Sequence, residues 1–561
     1  HSVVWLYRAG AGPRTRRAVQ AATALLAAAV VWAALVAPPR LDQLTPSAFA
    51  RIPLEGLALV ALGLVLPSRP RRVVAAVAGV ALGLLVVVKL LDAGYSAQLG
   101  RRFNPMFDWG SFGPAVGVLQ DSVGTAATVV ALVLAGLGLA LLVVVVIGST
   151  LRLSSVTARH RRRSAGGLAA VGGVWAVCAA LSLQLAPTGP VASASTAGLA
   201  LAHGRDVQAT LEDQRRFEEA TNSPDPLVGL ADADPLGALR GTDVLVVFVE
   251  SYGRVAIEDP DIAPGVTAVL RSGTSRLARA GLETRSAFLD SPIVGGGSWM
   301  AHATLQSGLW IDNQPLYDQL LASDRLTLSG AFRQAGWRTV GVSPANDAPW
   351  PEGASFYDFD QLYGRFDFGY RGPAFSWSAM PDQYALAAFQ RVELAPGHRP
   401  VMAEVDLTTS HQPWTPLPRM VPPEELGDGS VFDPMPAEGL SAEEAWRDTD
   451  TVRRLYGESI EYSLEALISW VVDLPDDELV LVLLGDHQPL PMVTGPDATR
   501  QVPISVVTSD AAVLDRIEAW NWRPGLLLGS TAPVWPMDAF RDRFIETFTD
   551  TSGAQALRQP R

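Results

Sequence analysis

Five apolar stretches crowd the first 190 residues of this chain, and they constrain its fold more than any other feature. They run from Ala18 to Ala37, Ile52 to Leu66, Val73 to Leu91, Thr125 to Ile147 and Ala165 to Leu185. A hydrocarbon core of about 30 Å takes about 20 residues of helix to cross. The second stretch is short and carries Glu55, a deficit that local bilayer thinning absorbs. A soluble bundle would leave five such runs almost no polar surface to cover them. The expectation is a multi-pass α-helical membrane domain over residues 1–186, with spans at about 18–37, 52–66, 73–91, 125–147 and 165–185. The first run is too long for the apolar part of a signal peptide and is followed by further spans.

Charge sorts along the same line. The first 190 residues hold 17 basic and 5 acidic side chains, and the remainder holds 27 and 52. That segregation argues against a single soluble globule, and an acidic second half with no basic stripe argues against a nucleic-acid partner. Twelve arginines fall in alternate loops: Arg8, Arg14, Arg16 and Arg17; Arg69, Arg71 and Arg72; Arg152, Arg159, Arg161, Arg162 and Arg163. Positive loops stay on the cytoplasmic side. The N-terminus is therefore expected in the cytoplasm, and five crossings of the plasma membrane put everything after residue 186 outside the cell. The single cysteine, Cys178, lies in the fifth span, so the exported part has no disulfide and depends on its core. A linker over 187–240 contains Ala192-Ser193-Ala194, which resembles a signal-peptidase site.

Residues 241–561 alternate strand-like and helix-like patterns. Asp243 to Val249 (DVLVVFV) is continuously apolar, as in a strand buried on both faces of a parallel sheet, and similar runs recur at Thr339 to Val342, Val401 to Val405, Leu479 to Leu484 and Ile504 to Val507. Helical patterns fill Leu326 to Ala335, Tyr384 to Val392 and Ala442 to Val472. This predicts an α/β domain with a mainly parallel sheet, whose ligands gather at the carboxyl ends of the strands.

Chemistry-bearing residues fall at those ends. Glu250 follows the first strand, Asp486 and His487 follow LVLVLLG, and His411 follows VMAEVDL. Ser298, after three glycines, opens a helix whose N–H groups favour an anion. Two carboxylates, a histidine and a hydroxyl suit a divalent metal, and a second histidine remains for proton transfer. Singly, each residue has a plainer reading: Glu250 as a helix cap, Ser298 as an N-cap, Asp486 with His487 as a hydrogen-bonded pair, His411 as a turn cap. His302 lies four residues after Ser298 on the same helix face and either touches the site or serves the core. Trp350 and Trp414 either pack the core or stack on a polyol or sugar.

The motifs VVFVES (246–251), GGGSWMAHATLQSG (295–308), MPDQYAL (380–386), TTSHQPW (408–414) and LLGDHQP (483–489) resemble the lipoteichoic acid synthase and phosphoglycerol transferase branch of the alkaline phosphatase and sulfatase superfamily. The resemblance covers most of the chain, the five-span part included, and implies an alkaline-phosphatase-like fold for the exported domain. It implies one Mn or Mg ion held by Glu250, Ser298, Asp486 and His487, with Ser298 also the nucleophile and His411 on the phosphate. It implies transfer of a phospho-alcohol, phosphoglycerol first, from a phospholipid such as phosphatidylglycerol to a hydroxyl of a cell-envelope glycan or glycolipid. A membrane-anchored phosphodiesterase or sulfatase-like hydrolase, and an envelope scaffold with a vestigial site, are the alternatives. The chain also departs from the branch. Ser298 stands where threonine is usual, without the Pro and Arg of a sulfatase motif. In the headgroup region Asp347 and Trp350 are kept, but Pro351-Glu352 stands where an arginine is expected.

Overall fold

A computed structural model of the chain describes residues 13–113, 116, 120, 124–185, 189–223, 225, 234–474, 478–495 and 498–550. The chain divides into two compact units, one of His1–Ala97 with Arg101–Glu212 and one of Gln98–Gly100 with Asp213–Arg561.

The first unit is helical: α1 (Pro13–Val36), α2 (Leu54–Val65), α3 (Ser68–Leu99), α4 (Thr125–Arg159) and α5 (Arg161–Ala180). Among the described residues four of these, α1, α3, α4 and α5, are long and apolar enough to cross a membrane. The expected second span is α2, and its 12 residues reach only about 18 Å at 1.5 Å per residue. Five full-length spans are therefore not what the helices supply; Pro53 and Pro67 bracket α2 and keep it short. Large apolar side chains stand exposed along α4, among them Leu132, Leu134, Leu137, Leu141 and Val144, as a lipid-facing helix requires. The one lysine is buried at a cost met by geometry, since Lys89 Nζ donates to the helix-end carbonyls of Ala34 and Leu35 in α1, at 2.9 and 3.1 Å. The cationic loop after α3 closes on itself: Arg101 grips Asp108 with both terminal nitrogens, at 2.6 and 2.7 Å.

The stretch expected as a linker contains a long helix, α6 (Ser195–Asn222), while residues 187, 188, 224 and 226–233 of it lie outside the described residues. Ala192–Ser193, inside the peptidase-like triplet, pairs as a short strand with Ile52–Pro53.

The second unit is built on a nine-stranded sheet. Its strands are β1 (Asp243–Val249), β2 (Glu283–Asp290), β3 (Arg338–Val342), β4 (Gln361–Tyr363), β5 (Val401–Leu407), β6 (Leu479–Gly485), β7 (Gln501–Thr508), β8 (Arg523–Pro524) and β9 (Val534–Pro536). The order is β8-β2-β7-β6-β1-β5-β3-β4, with β9 also on β2. The five strands from β6 to β4 are mutually parallel, whereas β7 runs antiparallel to both β6 and β2. All seven residues of β1 are buried, and they alternate between two cores: Leu245, Val247 and Val249 on one face, Val244, Val246 and Phe248 on the other. Helices α7 (Ala263–Arg279), α9 (Asp382–Glu393) and α10 (Thr449–Asp473) cover the first face, and α8 (Ser298–Ser307) and α11 (Ala539–Phe548) the second. The helix expected over 442–472 is two helices. The side chain of Asp448 accepts from the Thr451 amide and starts α10 afresh.

Candidate active site

The carboxyl ends of β1 and β6, side by side and parallel in the middle of the sheet, deliver the key side chains. Glu250 follows β1. Gly485, the last residue of β6, has no room for a side chain, because a Cβ there would sit 1.9 Å from the Tyr252 carbonyl oxygen. That contact brings Asp486 and His487 against the β1 turn. Ser251 holds a left-handed φ of 58°, an uncommon conformation for serine that needs support from its neighbours. Its amide donates to Asp486 Oδ1 at 2.7 Å, its hydroxyl donates to Glu250 Oε1 at 2.9 Å, and its carbonyl accepts from the Tyr456 hydroxyl at 2.9 Å.

Ser298 enters from the second face at the first turn of α8. Gly297, the N-cap residue at φ 90°, makes the left-handed bend that points the helix start at the strand ends. Ser298 Oγ donates to Glu250 Oε2 at 2.8 Å and lies 3.2 Å from His487 Nε2. His487 Nε2 is 3.3 Å from Glu250 Oε1 and 3.6 Å from Asp486 Oδ2. His487 Nδ1 donates to the Gln488 carbonyl at 2.8 Å, which turns Nε2 toward the cluster.

The electrostatics are those of a crowded acidic pocket. Burial works to raise Glu250, but the hydrogen bond and charge of His487, then the charge of His411, outweigh it and hold the carboxyl well below its usual range. Burial, then the charge of Glu250, pushes Asp486 up to about 6 against the pull of His487. Burial opposes the His487 proton, yet Asp486 and Glu250 together raise it to about 9.

A divalent ion suits this set. Glu250, Asp486 and His487 offer ligand atoms within 4.8 Å of one another, and Ser298 Oγ joins them. Asp486 Oδ2 is buried with no hydrogen-bond partner, its nearest positive neighbour being His487 Nε2 at 3.6 Å, a costly state for a carboxylate oxygen that a ligated cation would relieve.

His411 follows β5. The Ser410 hydroxyl ties its loop to the Glu250 carbonyl at 2.6 Å, and Asp382 at the start of α9 pins it from the other side, accepting from the Thr409 amide at 3.0 Å and the Ser463 hydroxyl at 2.6 Å. Burial pushes Asp382 up to about 6 despite these bonds. His411 Nδ1 donates to the Gln412 carbonyl at 2.6 Å, leaving Nε2 free.

A cavity of about 580 Å³ opens in front of Ser298, and Glu250, Asp486, His411, His302 and Trp350 all line it. Asp347 is exposed and lines a neighbouring cavity of about 440 Å³, to which Trp350 also contributes. Trp414 is 1% exposed; it stacks on Trp446 and donates to the Ser410 carbonyl, so it supports the His411 loop from the core and forms no part of the cavity wall. Trp299 and Trp377 are exposed at the cavity rim, Trp377 against His411.

Sequence reasoning missed two residues. Glu404 and Asp406 sit on the cavity floor, and Asp382 behind the His411 loop was noticed only as part of a motif. The signal for the pair was present in VMAEVDL, where two acids spaced two apart in an apolar strand must share one face.

No family model and no curated protein matches the chain. Among solved structures the chain is similar to the lipoteichoic acid synthase LtaP from Listeria monocytogenes (15% identity, 52% of this chain and 70% of that one, TM-score 0.36). It is similar to the phosphoglycerol transferase GacH from Streptococcus pyogenes in complex with sn-glycerol-1-phosphate (13%, 63% and 83%, TM-score 0.37). It is also similar to the lipooligosaccharide phosphoethanolamine transferase EptA, an integral membrane protein from Neisseria meningitidis (13%, 94% and 95%, TM-score 0.43).

Proposed function

We propose that the chain is an integral membrane enzyme of the plasma membrane that moves a phospho-alcohol group from a membrane phospholipid to a hydroxyl of an envelope glycan or glycolipid, through a phospho-Ser298 intermediate. The observation that carries this reading is the placement of Ser298: a partly exposed hydroxyl at a helix start, in hydrogen-bond reach of Glu250 and His487, beside a buried unpartnered Asp486 oxygen and at the mouth of a cavity. Its orientation has the N-terminus in the cytoplasm and the sheet domain outside, with α2 completing an odd number of crossings.

Glu250, Asp486, His487 and Ser298 would hold one Mn or Mg ion, which supplies positive charge for the serine oxygen and the phosphoryl oxygens. Ser298 is aimed by its bond to Glu250. The first transfer forms the Oγ–P bond as the Ser298 hydroxyl gives up its proton to solvent, and breaks the bond from phosphorus to the diacylglycerol oxygen, which takes a proton from His411 Nε2. In the second transfer the acceptor hydroxyl forms its bond to phosphorus as Oγ–P breaks. His411 Nε2 takes the acceptor proton and Ser298 Oγ is reprotonated from solvent. The α8 amides at Ser298 face the negative phosphoryl group. Diacylglycerol release tests the reading. Ser298→Ala releasing it at the wild-type rate overturns the nucleophile, and a free alcohol phosphate as sole product, with acceptor present, turns the reading to hydrolysis.

A further inference from the structure

The floor of the Ser298 cavity carries a second cluster that phosphoryl transfer leaves unused. Glu404 and Asp406 project from the same face of β5. His302 on α8 lies against both, with Nδ1 3.1 Å from Glu404 Oε1 and 3.4 Å from Asp406 Oδ1. The His302 ring is stacked on Phe248 at 3.8 Å, which fixes its plane. Gln306 Nε2 donates to Glu404 Oε2 at 2.6 Å, so Glu404, 7% exposed, is fully engaged. Asp406 Oδ1 is buried and has no hydrogen-bond partner.

One imidazolium lies against two carboxyl groups. Burial pushes Asp406 up to about 7 against the pull of His302, so a second cation beside it would favour its ionised form, and among the described residues that line the cavity there is no lysine or arginine. The walls beside the cluster are aromatic: Trp350, Tyr357, Phe359 and, at the rim, Trp377. A neutral polyol reaching this floor could offer a hydrogen bond but would bring no counter-charge to the buried Asp406 carboxyl. A second anionic group would be repelled. A cation answers both needs, through the carboxylate and through the aromatic faces. The orphaned Asp406 oxygen needs an N–H donor as well as a charge, and a trimethylated nitrogen has none.

We propose that the alcohol joined to the transferred phosphoryl group carries a primary ammonium, seated between Asp406 and the aromatic walls, so that the donor is an aminoalcohol phospholipid. This rests on the phosphoryl-transfer reading above. The bonds made and broken are those of that reading; the ammonium takes no part in them and fixes the position of the phosphorus relative to Ser298.

The full-length, metal-loaded protein in mixed micelles is offered phosphatidylethanolamine, phosphatidylcholine or phosphatidylglycerol, and the adduct on Ser298 is identified by its mass. The ethanolamine lipid should react at least about tenfold faster than either other lipid, and Glu404→Gln or Asp406→Asn should each cut that preference about tenfold, the scale of one charged hydrogen bond. A binding comparison needs no variant: phosphoethanolamine should raise the unfolding temperature of the wild-type protein more than glycerol 3-phosphate does. An adduct formed equally well or better from the glycerol or choline lipid overturns the ammonium subsite while leaving phosphoryl transfer standing. Two tightly bound metal ions per chain, one lost in Asp406→Asn, overturn it in favour of a second metal. No adduct on Ser298 from any lipid overturns the transfer reading itself, and the subsite with it.

Discussion

Two clusters at neighbouring strand ends contain the same donor types, two carboxylates and a histidine, and their surroundings give them different chemistry. Around Glu250, Asp486 and His487 the fourth neighbour is a partly exposed hydroxyl, and the unpartnered oxygen belongs to a residue with no exposed surface. Around His302, Glu404 and Asp406 the fourth neighbour is the Gln306 amide, the histidine lies flat on Phe248, and the unpartnered oxygen faces an aromatic cavity. The first arrangement suits a compact multivalent cation. The second, with a histidine and an amide donor already against its carboxyl groups, suits one monovalent charge with an N–H. Residue type alone does not separate them; the neighbours do.

The largest expected effect breaks the comparison at its reactive end. Ser298→Ala should lower diacylglycerol release by about 10³-fold or more, the scale of losing a nucleophile, while protein yield and unfolding temperature stay close to wild type. Next, the two clusters should part on metal content. Asp486→Asn should lose bound Mn or Mg and at least about 10²-fold of activity, whereas Glu404→Gln should keep its metal, as elemental analysis of the purified protein would show. Equal metal loss in both variants would erase the distinction.

A smaller effect concerns pH. Burial opposes the proton on His302, but Asp406 and Glu404 raise it to about 9. Its ordinary unfolded value is about 6.5. A raised value means that the charged histidine stabilises the fold fully below about pH 6.5 and that this contribution is lost as pH rises through about 9. The loss is on the order of 3 kcal/mol. Denaturant unfolding of the metal-loaded protein between those limits should show the decline, and His302→Gln should flatten it. The smallest effect is expected at Asp347, exposed and in the neighbouring cavity: Asp347→Ala should change donor turnover by less than about twofold.

The sheet was legible where both faces of a strand are buried. Asp243–Val249 matched the expected strand to the residue, and β3, β5 and β6 matched within two, because a parallel strand between helices has to be apolar throughout. Strand β2, ETRSAFLD, was missed: its first half lies toward the sheet's antiparallel end, where Glu283 is exposed and Arg285 only partly buried, so no apolar run forms. The antiparallel direction of β7 was equally invisible, since a buried apolar run reads the same either way. In the first unit hydropathy located all five helices and marked the second as short; its bounds, tighter than the apolar run, are set by the flanking prolines. At the site, Ser298, Glu250, Asp486, His487 and His411 could be found as polar residues at strand and helix ends. Trp414 could not be placed, because a tryptophan in a site loop serves core or cavity according to side-chain packing that no local pattern records. Glu404 and Asp406 were hidden by the apolar run around them.

The central claim is that Ser298 carries the transferred group, and trapping the intermediate tests it most directly. The metal-loaded protein is incubated with phospholipid without acceptor, quenched in acid and digested, and the peptide spanning Ser298 is weighed and fragmented. A phospho-alcohol on Ser298, removed when acceptor is added before the quench, is the result predicted. An unmodified Ser298 in a preparation that has released diacylglycerol would contradict it.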